Sequence, residues 1–195
     1  MGFSRDELES FRDTEIDDLV GPGLRMLFVG VNPGLWTAAT GTPFAHPGNR
    51  FFPALAQAGI LTERPGFARG LNEAERARIV GAGIGITNLV RRATARAAEL
   101  SRDELRAGAE RLRANVRAWR PAVVAIVGIT AYRDGFDRPR APSGRQVEPL
   151  EGVPVWVLPS PSGLNAHATV ASLAEAYAEP ARAAGLLPAQ EPSES

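Results

Sequence analysis

Apolar positions along the chain follow two periods. Residues 26–31, 122–128 and 153–159 are short apolar runs, 83–90 is short, β-branched and glycine-flanked, and each reads as a strand. "AVVAIVG" (122–128) is continuously apolar, the pattern of a strand covered on both faces. Between the runs the period becomes helical. Leu105, Leu112, Val116 and Trp119 recur at spacings of 7, 4 and 3, placing one apolar stripe on a long helix behind the capping pair Ser101 and Glu104. Asn72 and Glu75 cap a helix over 73–80, and "NRFFPALAQAGI" (49–60) reads as a short helix. Residues 167–184 read as mostly helical despite Pro180. The first 24 residues give one or two short acidic helices ending at Gly21-Pro22-Gly23, and 33–48 and "RPRAPSGR" (138–145) read as loops. Strands alternating with helices predict a single α/β domain over 1–187. Its three α/β/α layers enclose a small, mostly parallel central sheet, and a polar, disordered tail follows over 188–195. No internal repeat or dividing linker is visible.

Composition narrows the chemistry. Cys is absent, which removes disulfides, thiol nucleophiles, Cys-ligated zinc and cysteine-held iron–sulfur clusters together. With two histidines, His46 and His167, a multi-histidine metal site lacks ligands, so no metal or other cofactor is expected. All 22 basic residues are Arg, so any phosphate contact would be made by a planar bidentate fork. The formal net charge of +0 argues against coating nucleic acid through bulk charge. No apolar run reaches about 18 residues and no charged-then-apolar leader opens the chain, so no membrane association or export is expected and the cytoplasm is the default location.

In α/β sheets, ligands bind beyond the carboxyl ends of the strands. Three polar segments leave such ends: Asn32-Pro33-Gly34, Thr87-Asn88 and "SPSGLNAH" (160–167). Neither a G-x-G-x-x-G after the first strand nor a P-loop occurs, so nucleotide-cofactor readings fall away. Asn32 stands between an apolar run and a proline, which fits either a side chain aimed at a ligand or a strand-end cap of its own turn. Residues 27–49 contain no Asp or Glu, so chemistry at this loop would orient water rather than deprotonate it. An N-glycosidic bond to a uracil-like base suits that arrangement, because the base departs early and carries its negative charge into N–H donors. Phe44 fits a stacking platform for a flat base or a core plug. His46 and Asn49 are read as fixing their loop. Asn88 could read a pyrimidine edge or bond the backbone. Leu164 could be a wedge between base pairs or a hydrophobic staple at a helix start.

Taken together, "GVNPGL" (30–35), "GTPFAHPGNRFF" (41–52), "GITNLV" (85–90), "SRDELRAGAERL" (101–112), "AVVAIVGITAY" (122–132) and "VWVLPSPSGLN" (155–165) resemble the mismatch-specific uracil-DNA glycosylase and thymine-DNA glycosylase family, part of the uracil-DNA glycosylase superfamily. The segments occur in the family's order over roughly residues 18–178. The resemblance implies that Asn32 positions the attacking water, Phe44 stacks on a flipped base, backbone around Val31 and Gly34 lines the pocket, and Thr37 abuts the 5-substituent. It further implies Asn88 as a base reader, Leu164 as the wedge, and Gly163 and Asn165 presenting backbone to the widowed guanine. DNA-backbone contacts are expected at Arg50, Arg91, Arg92 and Ser162 and on the 138–145 loop. Some family members carry Lys where this chain has Asn88, and Thr37 is bulkier than the Ser or Ala familiar at its position. The implied enzyme is a monofunctional, metal-free glycosylase of base-excision repair. It would act as a monomer on double-stranded DNA with a mispaired or damaged base, best on G·U and poorly on thymine. Two other readings stay open at this level: a non-catalytic lesion-binding module on the same fold, and a hydrolase of free nucleosides, which would not need Leu164.

Overall fold

The structure, a computed structural model, describes residues 2–62, 65 and 70–189. Five strands, β1 (Met26–Gly30), β2 (Ile84–Asn88), β3 (Val123–Val127), β4 (Gly144–Arg145) and β5 (Val155–Leu158), form one sheet in the order β2-β1-β3-β5-β4. All neighbours pair in parallel except β4, which runs antiparallel on the outer edge of β5. The described helices are α1 (Arg5–Glu9), α2 (Leu35–Thr40), α3 (Phe51–Gln57), α4 (Glu73–Gly81), α5 (Arg102–Trp119), α6 (Ile129–Gly135) and α7 (Val170–Ala183).

Alternate strand residues serve opposite faces, as the two-residue period requires. Met26, Phe28, Ile84, Ile86, Ala125 and Trp156 join α3, α4 and α7 in one core through Phe51, Leu55, Ile79, Leu173 and Tyr177. Leu27, Val29, Val124, Ile126 and Val157 join α5 and α6 in the other through Leu105, Leu112, Val116 and Tyr132. Both faces of β1 and β3 are therefore covered, which is why their sequences carry no alternation. The predicted stripe on α5 lies in the second core, with Trp119 partly buried at its end. Both predicted capping boxes are formed: Asn72 with Glu75 and Ser101 with Glu104.

Several expectations need correction. The 33–48 segment is not all loop: α2 lies within it, started by extended Gly34 and stopped by Gly41 at φ 60°. With Thr37 its one buried residue, α2 has no apolar stripe to reveal it. The 138–145 loop ends in β4, too short to show a period, and the segment after β3 forms the helix α6. The last helix starts at Val170 because Thr169 and Ser172 form its capping box. Beyond α1 and a turn over 10–13, the N-terminal segment runs along β2: Leu19 exchanges backbone hydrogen bonds with Ile86 at 2.9 and 2.8 Å, and residues 13–14 bond Ala93. It thereby covers the open edge of β2. The tail from 190 lies outside the described residues. Among those residues no helix is long and apolar enough to cross a membrane.

Candidate functional site

The carboxyl ends of β1 and β2 are held in register past the strands themselves. Leu89 N–H donates to Gly30 O and Val90 N–H to Val31 O, both at 2.9 Å. This fixes where Asn32 leaves the sheet. Its Nδ2 donates to Thr94 Oγ1 at 2.7 Å and to the carbonyls of Pro33 and Arg92 at 3.1 Å each. Thr94, 1% exposed, donates its own hydroxyl proton to Arg96 O at 2.9 Å, so a lone pair faces the amide. Two carbonyls and a committed hydroxyl demand the NH2 group on that side. Oδ1 consequently faces the other way and takes no hydrogen bond from any described residue. The strand-end alternative, an Asn that caps its own turn, accounts for the bond to Pro33 but not for the two partners some 60 residues away. Nothing in the sequence marks Thr94, because a lone Thr after a strand carries no signal.

Phe44 adopts φ 56° between buried Pro43 and Ala45. Its ring stacks on Phe51 at 4.0 Å between centroids and 27° between planes, and Phe51 meets Phe28 edge-on at 4.9 Å. Half-buried Phe44 is thus the outermost ring of an aromatic column rooted in the core. Facing it is Gly30. A Cβ there would stand 2.5 Å from Asn88 Oδ1 and 3.5 Å from Phe44 Cζ. The missing side chain is what leaves room for the Asn88 amide beside the ring, and Asn88 pairs with Gly30 across β1–β2. The Asn88 carboxamide makes no hydrogen bond with any described residue, so the backbone-bonded alternative does not hold. Its main chain is gripped instead: Arg111 donates to the carbonyls of Asn88 and, at 3.0 Å, Leu89. Gly108, whose added Cβ would lie 2.1 Å from Leu89 O, lets α5 approach that closely. Desolvation by burial pulls the Arg111 pKa below the ordinary arginine value. Val31 is half-buried, Gly34 exposed with open space about its Cα, and Thr37 buried on the first turn of α2.

The 160–167 segment forms a tight turn. Ser162 Oγ accepts from Leu164 N–H at 3.3 Å, and Asn165 Nδ2 folds back to Ser160 O at 3.0 Å. Leu164 is 87% exposed, which removes the staple reading. The staple positions of α7 are Ala168 and Leu173, both in the core. Asn165 does not offer its main chain: its N–H donates to Ser162 O and its carbonyl accepts from Arg50. Gly163 remains exposed. His46 accepts from Gly48 N–H and Asn49 from Phe51 N–H, both fixing the loop.

The arginines nominated for phosphate are engaged elsewhere. Arg50 is spent on three carbonyls, those of Ser162, Asn165 and Ala168. Arg92 pairs with Glu104 and, at 2.8 Å, Asp13; Arg91 lies 3.5 Å from Glu15 and 3.7 Å from Asp17. The acidic N-terminal segment that covers β2 supplies Asp13, Glu15 and Asp17 among these partners, a contact no local pattern reveals. The hydrogen bond from Arg92, with that from the Ser101 backbone, holds the Glu104 carboxyl down at about 2. A concavity of about 330 Å³ between α6 and β4 contains none of the residues around Asn32.

The family model described as the uracil DNA glycosylase superfamily matches residues 18–180, spanning every element of the site. The chain belongs to the uracil DNA glycosylase superfamily. Membership in that superfamily makes it a DNA N-glycosylase by class, a hydrolase of base excision repair that acts on uracil. Its fold is also that of a solution NMR structure, a protein from Methanosarcina acetivorans provisionally assigned as a uracil DNA glycosylase. The two agree at a TM-score of 0.56 and 13% identity over 86% of this chain and 98% of that chain. At that identity the likeness speaks for the fold alone.

Proposed function

We propose that this glycosylase is the mismatch-specific, monofunctional type, removing uracil best from G·U mispairs by flipping the base against Phe44. The observation that carries the reading is the Asn32 amide, its NH2 tied to Thr94, Pro33 and Arg92 and its Oδ1 left as a fixed acceptor. Oδ1 accepts a hydrogen bond from a water and aims its oxygen at C1′. The C1′–N1 bond breaks with its electron pair on the base, the water oxygen bonds C1′, and the surplus proton passes to solvent. Asn32 takes no proton, so catalysis depends on a leaving group that departs first. The Asn88 carboxamide, free to donate and accept, reads the uracil edge. Buried Thr37 crowds a 5-methyl group, which disfavours thymine. Leu164 fills the gap left in the duplex, and the exposed main chain of Gly163 faces the opposite guanine, with Asn165 holding the turn. Val31 and Gly34 backbone line the slot. Without lysine there is no lysine amine to form a Schiff base with the sugar, so the product is an intact abasic strand.

The test is incubation with duplexes bearing G·U, A·U or G·T, followed by alkali. Breakage at uracil only after alkali, fastest opposite guanine and slow at thymine, is expected. Breakage before alkali would refute the monofunctional chemistry, and equal rates opposite guanine and adenine would refute the mismatch preference.

A further inference from the structure

We infer that Arg50 is a positioning residue for strand separation, a brace that makes the Leu164 turn stiff enough to enter a duplex; this rests on the flipping mechanism proposed above. One guanidinium reaches three carbonyls spaced three residues apart, Ser162 at 2.6 Å, Asn165 at 2.8 Å and Ala168. The Arg50 N–H adds a bond to Pro161 O at 3.0 Å. On the same seam Gly163 lies so close to Gly48 that an added Cβ would be 2.9 Å from Gly48 O. The turn over 162–167 has no buried residue of its own, and Leu164, its one large apolar side chain, points to solvent. Polar ties must therefore supply its rigidity. Arg50 is the residue before Phe51, which carries Phe44 on its ring. The brace thus joins the wedge turn and the base platform into one body. Arg50 Nε is buried without a partner, so the cation is held there for its terminal nitrogens alone. A lysine ammonium cannot span the three carbonyls as a planar fork does.

A wedge matters only where a base pair must be opened, so the diagnostic quantity is the ratio of duplex to single-strand activity. Single-turnover excision is measured on one uracil oligonucleotide, alone and paired as G·U, for native protein, Arg50→Lys, Leu164→Ala and the double variant. Arg50→Lys is expected to lose about 30-fold on duplex, the weight of one hydrogen bond from a charged donor, and less than about threefold on single strand. In the Leu164→Ala background it should add nothing on duplex, because both act through one wedge. Equal losses on both substrates, or full additivity, would overturn the inference. Should Arg50→Lys fail to fold, Gly163→Ala strains the same seam from the other side. It must show the same duplex-selective loss or the inference fails. Native protein inert on both substrates would instead refute the glycosylase reading itself, and the brace with it.

Discussion

Replacing Thr94 by Val deletes one hydroxyl from a site that is 1% exposed and leaves the shape nearly intact. Two hydrogen bonds go: the 2.7 Å tether of Asn32 Nδ2 and the 2.9 Å bond to Arg96 O. At about 0.5–1.5 kcal/mol for each neutral pair, stability should fall by about 1–3 kcal/mol. Catalysis should fall for a different reason. Nδ2 keeps only the two 3.1 Å carbonyls, and the amide can swing or turn its NH2 toward the water site. Losing about 1.5–3 kcal/mol of oriented transition-state contact lowers the rate about 10- to 150-fold. Thr94→Ser retains the hydroxyl and should keep most of the activity. The assay is single-turnover excision from a G·U duplex at saturating enzyme, read beside the thermal midpoint. A folded Val variant within about threefold of the native rate would refute the claim that Thr94 orients Asn32.

Other outcomes follow from the same geometry. Gly30→Ala places a Cβ 2.5 Å from Asn88 Oδ1, so it should cut uracil excision while leaving undamaged-duplex affinity within about twofold, checked by rate and titration. Leu164→Ala should cripple action on duplex and spare a single-stranded uracil; unchanged duplex rates would remove the wedge. Glu104, held at about 2 against an ordinary 4.5, contributes stability that is complete above pH 4.5 and is lost as pH falls toward 2. Glu104→Gln should accordingly flatten the acid limb of the stability curve in that window, measured by denaturant titration at several pH values.

How much of this was legible in the chain differs from residue to residue. β1, β3 and β5 announced themselves as apolar runs, β2 as a short, β-branched and glycine-flanked segment, and α4 and α5 by capping boxes and, for α5, its stripe, because those signals are local. Asn32, Phe44 and Asn88 stood out since polar or aromatic residues at strand ends and turns interrupt such patterns, and Leu164 as an apolar residue within a polar turn. Thr94, Gly30 and Arg111 did not. Their parts depend on contacts between segments 22 to 62 residues apart, namely a hydroxyl behind an amide, a missing Cβ beside one, and a guanidinium across a strand end. Arg50, Arg91 and Arg92 misled for the same reason. A basic residue looks free in sequence until the carbonyls or carboxylates that occupy it are in place.

The most direct test of the central claim is Asn32→Ala beside native protein, on a single G·U duplex under single-turnover conditions in EDTA. The account predicts alkali-labile breakage at uracil by the native chain and a loss of about 100-fold or more in the variant, with duplex affinity retained. Equal rates would contradict the role given to Asn32. Tight binding by the native chain with no breakage would contradict catalysis on uracil and favour a lesion-binding protein.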